Sequence, residues 1–261
     1  QQALKQAIVN KELSLNFQPQ LRSDGSLFGA EVLLRWSSPI FGFVSPAKFI
    51  PLAEETGLIH SIGAWVFSQS LNSIEQWQAN SIPFDGHLSI NVSAWQFALP
   101  NFADDIIHEV KSKSIKPSSI MLEVTETGLL VDVPDTIKKL SQIRQFGIEI
   151  ALDDFGTGYS SMAYLRDLPL DLLKIDKAFI DELATSSHSP ITESIISIGK
   201  SMDLRVIAEG VETLEQSNRL AAMGCHIYQG YYYAKPMPED NFVAWLFTNQ
   251  AIPKKQQSLA S

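Results

Sequence analysis

Ala151-Leu-Asp-Asp-Phe-Gly-Thr-Gly-Tyr-Ser-Ser161 is the stretch on which the reading of this chain turns. It follows Ile148-Glu-Ile-Ala-Leu152, whose alternation predicts a buried strand running into a loop. Two adjacent carboxylates, Asp153 and Asp154, stand where the apolar strand should end, and Gly156 and Gly158 follow at once. Glycines there let the backbone take positive φ and come close to a ligand. Neighbouring carboxylates repel and raise each other's pKa, an arrangement that suits a divalent cation. An Asp-Gly turn with a helix cap is the plainer use of the same residues.

Outward from this strand, strands and helices alternate. Upstream, strands at 87–92 and 119–125 are each followed by helical patterns, at 101–113 and 133–146. Downstream come a short helix near 160–166, strands at 170–176, 204–208 and 226–230, and helices within 177–202, at 213–223 and at 238–248. Residues 3–10 read as a short amphipathic helix, and Leu13-Ser-Leu-Asn-Phe-Gln18 as a strand stopped by Pro19. Asp24-Gly25 turns that strand into a second one, from Leu27 to Trp36. Pro46 starts a helix that Gly57 ends, and a longer helix runs from Ile59 to Ala79. Strand-helix alternation implies parallel βα units. The expected fold is therefore α/β, a (β/α)8 TIM-like barrel with one antiparallel strand from the N-terminal hairpin. Residues 1–250 are expected to form one domain and 251–261 a disordered tail.

Composition narrows the partners. The chain has 261 residues, a net charge of -9 and a pI near 5.0, which argues against binding a nucleic-acid polymer through its backbone. A small anionic ligand held by metals and local cations remains open. The one cysteine, Cys225, allows no internal disulfide and reads as a small buried hydrophobe. No apolar run is long enough to span a bilayer, and the N-terminus has no signal-peptide pattern. The chain opens directly on a helical pattern, as a domain cut from a longer protein would.

Side-chain parity along the strands places the polar residues. Ile90 and Val92 oppose Asn91; Leu122 and Val124 oppose Glu123; Ile150 and Leu152 oppose Asp153; Leu173 and Ile175 oppose Lys174. Glu31 and Arg35 share one face of the second strand, and Glu209 and Gln229 end the last two. In a barrel the apolar parity packs on the helices and the other parity points inward. Glu31, Asn91, Glu123, Asp153, Lys174, Glu209 and Gln229 should therefore converge on one mouth. Crowded carboxylates need cations to stay ionised, and an oxygen-rich set favours Mg2+ or Mn2+ over zinc. His60, His87, His108, His188 and His226 show no ligand spacing and read as ordinary surface or core residues.

Taken together, these residues resemble the EAL-domain phosphodiesterases, bacterial enzymes that hydrolyse cyclic di-GMP to a linear dinucleotide, 5'-pGpG. The resemblance runs from Phe17-Gln-Pro19 to Ala234-Lys-Pro236. It rests on Glu31-Val-Leu-Leu-Arg-Trp36, Phe49-Ile-Pro-Leu-Ala-Glu-Glu55, Asn91-Val-Ser93, Glu123-Val-Thr-Glu126, Asp153-Asp-Phe-Gly-Thr-Gly158, Lys174-Ile-Asp176, Glu209-Gly-Val-Glu212 and Gln229-Gly-Tyr231. Val32 stands where the namesake motif has alanine; its parity faces the helices, so the change alters packing only slightly. The resemblance implies that Glu31, Asn91, Glu123 and Asp153 bind one metal, and that Asp153 bridges to a second ion held also by Asp154. Glu209 would act at the same centre, directly or through water, and Lys174 would orient the attacking water. Gln18, Arg35 and Gln229 would contact substrate, with Pro51 and Pro236 framing a guanine. Glu126 and Asp176 would anchor the loop carrying Gly156 and Gly158.

Two Mg2+ or Mn2+ ions would support turnover, whereas Ca2+, with longer bonds and more ligands, would inhibit it. The resemblance also implies that the segment Tyr159–Leu165 lies near a homodimer interface, and the setting is expected to be cytoplasmic, within a larger bacterial protein, free or membrane-anchored. The competing readings are a catalytically silent cyclic di-GMP receptor and a metal-dependent barrel enzyme that removes a proton beside a carboxylate.

Overall fold

Strands with one apolar and one mixed face close into a barrel when helices cover the first and side chains fill the second. The computed structural model describes residues 1–129, 132–156, 165–185 and 189–250. Its strands are β1 (Leu13–Arg22), β2 (Leu27–Ser38), β3 (Gly42–Val44), β4 (His87–Val92), β5 (Ile120–Thr125), β6 (Glu149–Phe155), β7 (Leu172–Ile175), β8 (Arg205–Ala208), β9 (Ile227–Tyr228) and β10 (Met237–Pro238). Eight of them close in the order β1-β2-β4-β5-β6-β7-β8-β9 and back to β1. β1 runs antiparallel to β2 and β9, and the pairs from β2 and β4 round to β9 are parallel. The expected barrel with one reversed strand is therefore what forms. β3 and β10 are short antiparallel additions on β2 and β1.

The two faces of the wall separate as parity requires. Val32, Ile90, Leu122, Ile150, Leu152, Leu173 and Ile175 belong to the large core shared with the helices. Phe28, Met121, Ala151, Leu172 and Ile207 form a second, smaller apolar cluster. Met121, Ala151, Leu172 and Ile207 each lie two residues before Glu123, Asp153, Lys174 and Glu209, so this cluster is an apolar floor beneath the polar mouth. Helix ends are set locally. In Val133–Phe146 the Asp132 side chain accepts from the Asp135 N–H, and Gly147 at φ 106 stops the helix and turns the chain toward β6.

Some boundaries differ from the sequence reading. β1 does not stop at Pro19 but continues to Arg22, with Pro19 opposite Ala30. On its other edge β1 pairs with β10 at Asn16 and Phe17 and with β9 at Leu21 and Arg22, so Pro19 falls in the gap between them. An unpaired stretch of edge is where a residue without an N–H is tolerated. The strand expected over 148–153 does not end at Asp153 either; β6 runs on through Asp154 to Phe155. The expected helix near 160–166, apart from Leu165 and Arg166, and the interface segment Tyr159–Leu165, apart from Leu165, lie outside the described residues, as does the tail 251–261. Short helices at Ala94–Phe97 and Glu126–Leu129 were not foreseen, being too brief to show a period. No helix among the described residues is long and apolar enough to cross a membrane.

Candidate active site

Register fixes the site. Asn91 pairs with Glu123 across β4 and β5, Thr125 with Asp153 across β5 and β6, and Gln18 with Glu31 across β1 and β2. The cluster gathers at the ends of β4 to β8 away from the apolar floor, which in a parallel barrel is the C-terminal mouth. Lys174 is 1% exposed, and its ammonium lies 2.6 Å from Glu123, 2.7 Å from Glu209, 3.1 Å from Asp153 and 4.0 Å from Glu31. Asn91 Nδ2 donates to Glu31 Oε1 at 2.8 Å, and Gln229 Nε2 donates to Glu31 Oε2 at 2.5 Å. Gln229 Nε2 also donates to Gln18 Oε1, and Gln18 Nε2 to the Ala234 carbonyl, each at 3.1 Å. All seven residues assigned to the mouth by parity are brought together, and Gln18 joins them.

Asp154 is reached by a different device. The pairing of β6 with β7 slips between Leu152 and Phe155, and Asp154 sits at φ 55. That left-handed residue makes a bulge, so Asp153 and Asp154 no longer point to opposite faces in simple alternation. Asp153 Oδ1 accepts from the Asp154 N–H at 3.0 Å. Burial, then Asp153 and Asp176, raise the pKa of Asp154, with a side-chain hydrogen bond to Asp176. Asp176 therefore faces Asp154 while its Oδ1 accepts from Ala178 N at the start of helix Lys177–Thr185.

The remaining expected residues are placed less centrally. Arg35 is partly buried and donates to the Leu34 carbonyl; burial lowers its pKa, opposed by Glu31 and by Tyr231. Pro51 is exposed within helix Pro46–Glu55, and Pro236 lies beside β10. Neither is tied to the cluster by a hydrogen bond among the described residues. Glu126 is buried at the start of its short helix, and neither carboxylate oxygen has a hydrogen-bond partner among the described residues. Its expected hold on the Gly156–Gly158 loop falls on residues outside that description beyond Gly156. One residue was missed: Gln20, 1% exposed, donates to Gln229 Oε1 at 2.9 Å. Its parity with Gln18 on β1 was the available signal.

Electrostatics mark the mouth as short of positive charge. Burial pushes Glu209 up to about 8, with Asp153 and Glu31 adding to it and Lys174 opposing. Burial also drives Glu123 well above the usual carboxylate range, against the pull of Lys174. Burial opposes the charge on Lys174, but Asp153, Glu123, Glu209 and Glu31 together outweigh it and hold the ammonium protonated. Glu123 Oε1 is buried without a hydrogen-bond partner, and Glu209 Oε1, though near Nζ, lies off its hydrogen-bonding direction. Among the described residues no three acidic, histidine or cysteine side chains meet at metal-ligand spacing. The carboxylates converge on Lys174 instead of on a point of their own. Even so, four carboxylates, one of them with an unpartnered buried oxygen, and an amide oxygen against one ammonium form a donor set that fits hard divalent cations.

A (β/α)8-type barrel with one reversed strand and an acidic mouth at the C-terminal ends of its parallel strands defines a class of α/β scaffold. Within that class, the chain belongs to the EAL-domain family, whose model matches residues 1–236. Among curated relatives it is 40% identical over 243 residues to the bifunctional diguanylate cyclase/cyclic di-GMP phosphodiesterase MucR of Pseudomonas aeruginosa, covering 92% of this chain and 35% of MucR. It is 35% identical over 244 residues to the cyclic di-GMP phosphodiesterase NbdA of the same organism, covering 91% of this chain and 30% of NbdA. The chain thus spans about a third of these relatives' length. A solved structure of the PaMucR phosphodiesterase in complex with c-di-GMP superimposes with a TM-score of 0.88 at 39% identity, covering 92% of this chain and 98% of that one. The EAL enzyme Bd1971 in its cAMP- and cyclic-di-GMP-bound form gives 0.87 at 34% identity, covering 92% and 66%.

Proposed function

We propose that this chain is a cyclic di-GMP phosphodiesterase that opens the ring to 5'-pGpG, working as one domain over residues 1–250 in the cytoplasm. The observation that carries this reading is Lys174, buried and faced by Glu31, Glu123, Asp153 and Glu209 at a barrel mouth of EAL-domain lineage. The full complement of carboxylates favours an enzyme over a silent receptor, which needs only to hold its ligand. Glu31, Asn91, Glu123, Asp153, Asp154 and Glu209 would hold two Mg2+ or Mn2+ ions. Such ions, when bound, lower the pKa of water and neutralise charge developing on a phosphodiester.

The chain's own side chains supply the rest. A phosphodiester repels an anionic nucleophile, so a fixed ammonium at the mouth favours the approach of hydroxide or polarised water. Lys174 is that group, kept charged by its carboxylate neighbours and unable to swing away because four of them surround it. Asn91 and Gln229 donate to the two oxygens of Glu31 and fix its carboxylate plane. Gln18 and Gln229, joined by a hydrogen bond, offer amide groups to substrate, and Arg35 at the rim offers a guanidinium for a phosphate. Pro51 and Pro236 would flank a guanine.

Incubation with cyclic di-GMP and Mg2+ or Mn2+, followed by chromatography of the products, tests this reading. The expected product is 5'-pGpG, with little turnover in Ca2+, whose bonds of about 2.3–2.6 Å exceed the roughly 2.0–2.1 Å of Mg2+. Unchanged substrate with both Mg2+ and Mn2+ would sink the proposal, and equal rates with Ca2+ would sink its two-metal form.

A further inference from the structure

Glu209 meets Lys174 from the end of β8, on the turn Glu209-Gly-Val-Glu212, and the position of that turn is set from two sides. On one side it is stitched to the residues after β9. Val211 N donates to the Gln229 carbonyl at 3.0 Å, and Tyr232 N donates to the Val211 carbonyl at 3.0 Å. A Cβ on Gly230 would run into the Val211 backbone, so the two segments touch directly. On the other side lies Lys177, the first residue of the helix that follows β7. A Cβ on Gly210, which sits at φ 67, would overlap Cβ, Cγ and Cδ of Lys177, so the lysine stem rests on the glycine backbone. Beyond the stem, Lys177 Nζ reaches Glu212 Oε1 at 2.9 Å and Asp181 Oδ1 at 2.7 Å.

The plain account of Lys177 is a half-exposed helix lysine paired i to i+4 with Asp181, an arrangement that contributes little. That account covers one of its three contacts. The stem on Gly210 and the ion pair to Glu212 both act on the Glu209 turn, which Lys177 spans from Gly210 to Glu212. Long cationic side chains commonly pack the stem while the head stays in water. β7 also carries Lys174, three residues earlier, so one strand end supplies both the ammonium that Glu209 meets and the side chain that holds Glu209's turn.

We infer that Lys177 is a positioning residue, whose stem and ammonium together clamp the Glu209–Glu212 turn and hold the Glu209 carboxylate in the mouth. This rests on the phosphodiesterase reading for its kinetic consequence, though not for its geometric one. Small misplacements of a catalytic group cost on the order of tenfold or more in rate, without comparable loss of substrate affinity.

The test compares Lys177→Ala, Lys177→Arg and Asp181→Asn with the parent chain. Cyclic di-GMP turnover, Mn2+ binding by calorimetry on the protein alone, and thermal melting are measured for each. Lys177→Ala should lower kcat about tenfold with KM nearly unchanged, and should weaken Mn2+ binding while the melting temperature stays close to the parent's. Lys177→Arg, which keeps a stem and a cation, should restore most of both. Asp181→Asn, which touches only the helix pair, should alter neither. Parental kcat and Mn2+ affinity in Lys177→Ala overturn the inference, as does a loss that arginine fails to restore. If the parent chain itself leaves cyclic di-GMP intact, the phosphodiesterase reading falls, and the Mn2+ titrations alone decide the role of Lys177.

Discussion

Lys174 and Glu31 sit in the same cluster, yet removing Lys174 should cost far more stability than removing Glu31. Lys174 is the ammonium on which four buried or half-buried carboxylates converge, and removing one partner of a buried charge set costs about 3–5 kcal/mol. Lys174→Met should therefore lose stability of that order in EDTA. Part of it should return on adding Mn2+, because a cation that binds the folded state stabilises it by mass action. Urea denaturation in EDTA and in Mn2+ checks this; a variant as stable as the parent in EDTA would mean that the ammonium does not hold the carboxylates. Glu31→Ala takes away one of the repelling carboxylates, leaves Asn91 without this acceptor and leaves Gln229 Nε2 with Gln18 Oε1 alone, effects that oppose each other. Its melting point should stay near the parent's while turnover of cyclic di-GMP disappears, and near-normal activity would contradict the metal role proposed for Glu31.

At the scale of elements, β6 is where a regular pattern gives way to a site. Asp154 occupies the left-handed region, which costs a residue with a Cβ roughly 1–2 kcal/mol unless it is glycine, asparagine or aspartate. Asp154→Gly should thus melt higher than Asp154→Ala, by about 1 kcal/mol in chemical denaturation, although both lack the carboxylate. Equal stabilities would mean that the bulge relaxes when the carboxylate goes. This bulge also shows where legibility ended. Period-two alternation needs only the order of residues, so Glu123 above Met121 and Lys174 above Leu172 could be assigned to the barrel interior from sequence. A positive φ at a single aspartate leaves no periodic trace, so the end of β6 was misplaced. Pro19 misled for a related reason: the rule against proline in a strand depends on which edge is paired, and that is a property of the closed sheet. Lys177 over Gly210 joins residues 33 apart in sequence through tertiary packing, and neither residue announces the other.

Across the whole molecule, one group at each end of the barrel makes stability depend on pH, and the two act with opposite sign. The mouth crowds carboxylates. The other end holds His87 at the start of β4, edge-on to Phe28, whose ring also lies under the guanidinium groups of Arg22 and Arg205. Burial, with Arg205 and Arg22 beside it, lowers the His87 pKa to about 3, and its Nε2 has no hydrogen-bond partner among the described residues. Between pH 6.5 and about 3 the unfolded chain takes a proton on this histidine that the folded chain refuses. Its stabilising contribution is therefore complete above pH 6.5 and shrinks as pH falls toward 3, by at most about 5 kcal/mol. Glu209 works the other way. Its carboxyl, raised from 4.5 to about 8, is protonated more readily in the folded chain, so between those values its contribution grows as pH falls. The two slopes oppose each other from pH 6.5 down to 4.5, and the parent's stability curve alone does not separate them. His87→Gln removes one slope and keeps the other. Stability of that variant minus that of the parent should rise steadily from pH 7 to pH 4, and the His87 imidazole of the parent should show no titration by NMR in that range. A difference that stays flat with pH, or a His87 resonance titrating near 6.5, would show that the closed end of the barrel admits the proton.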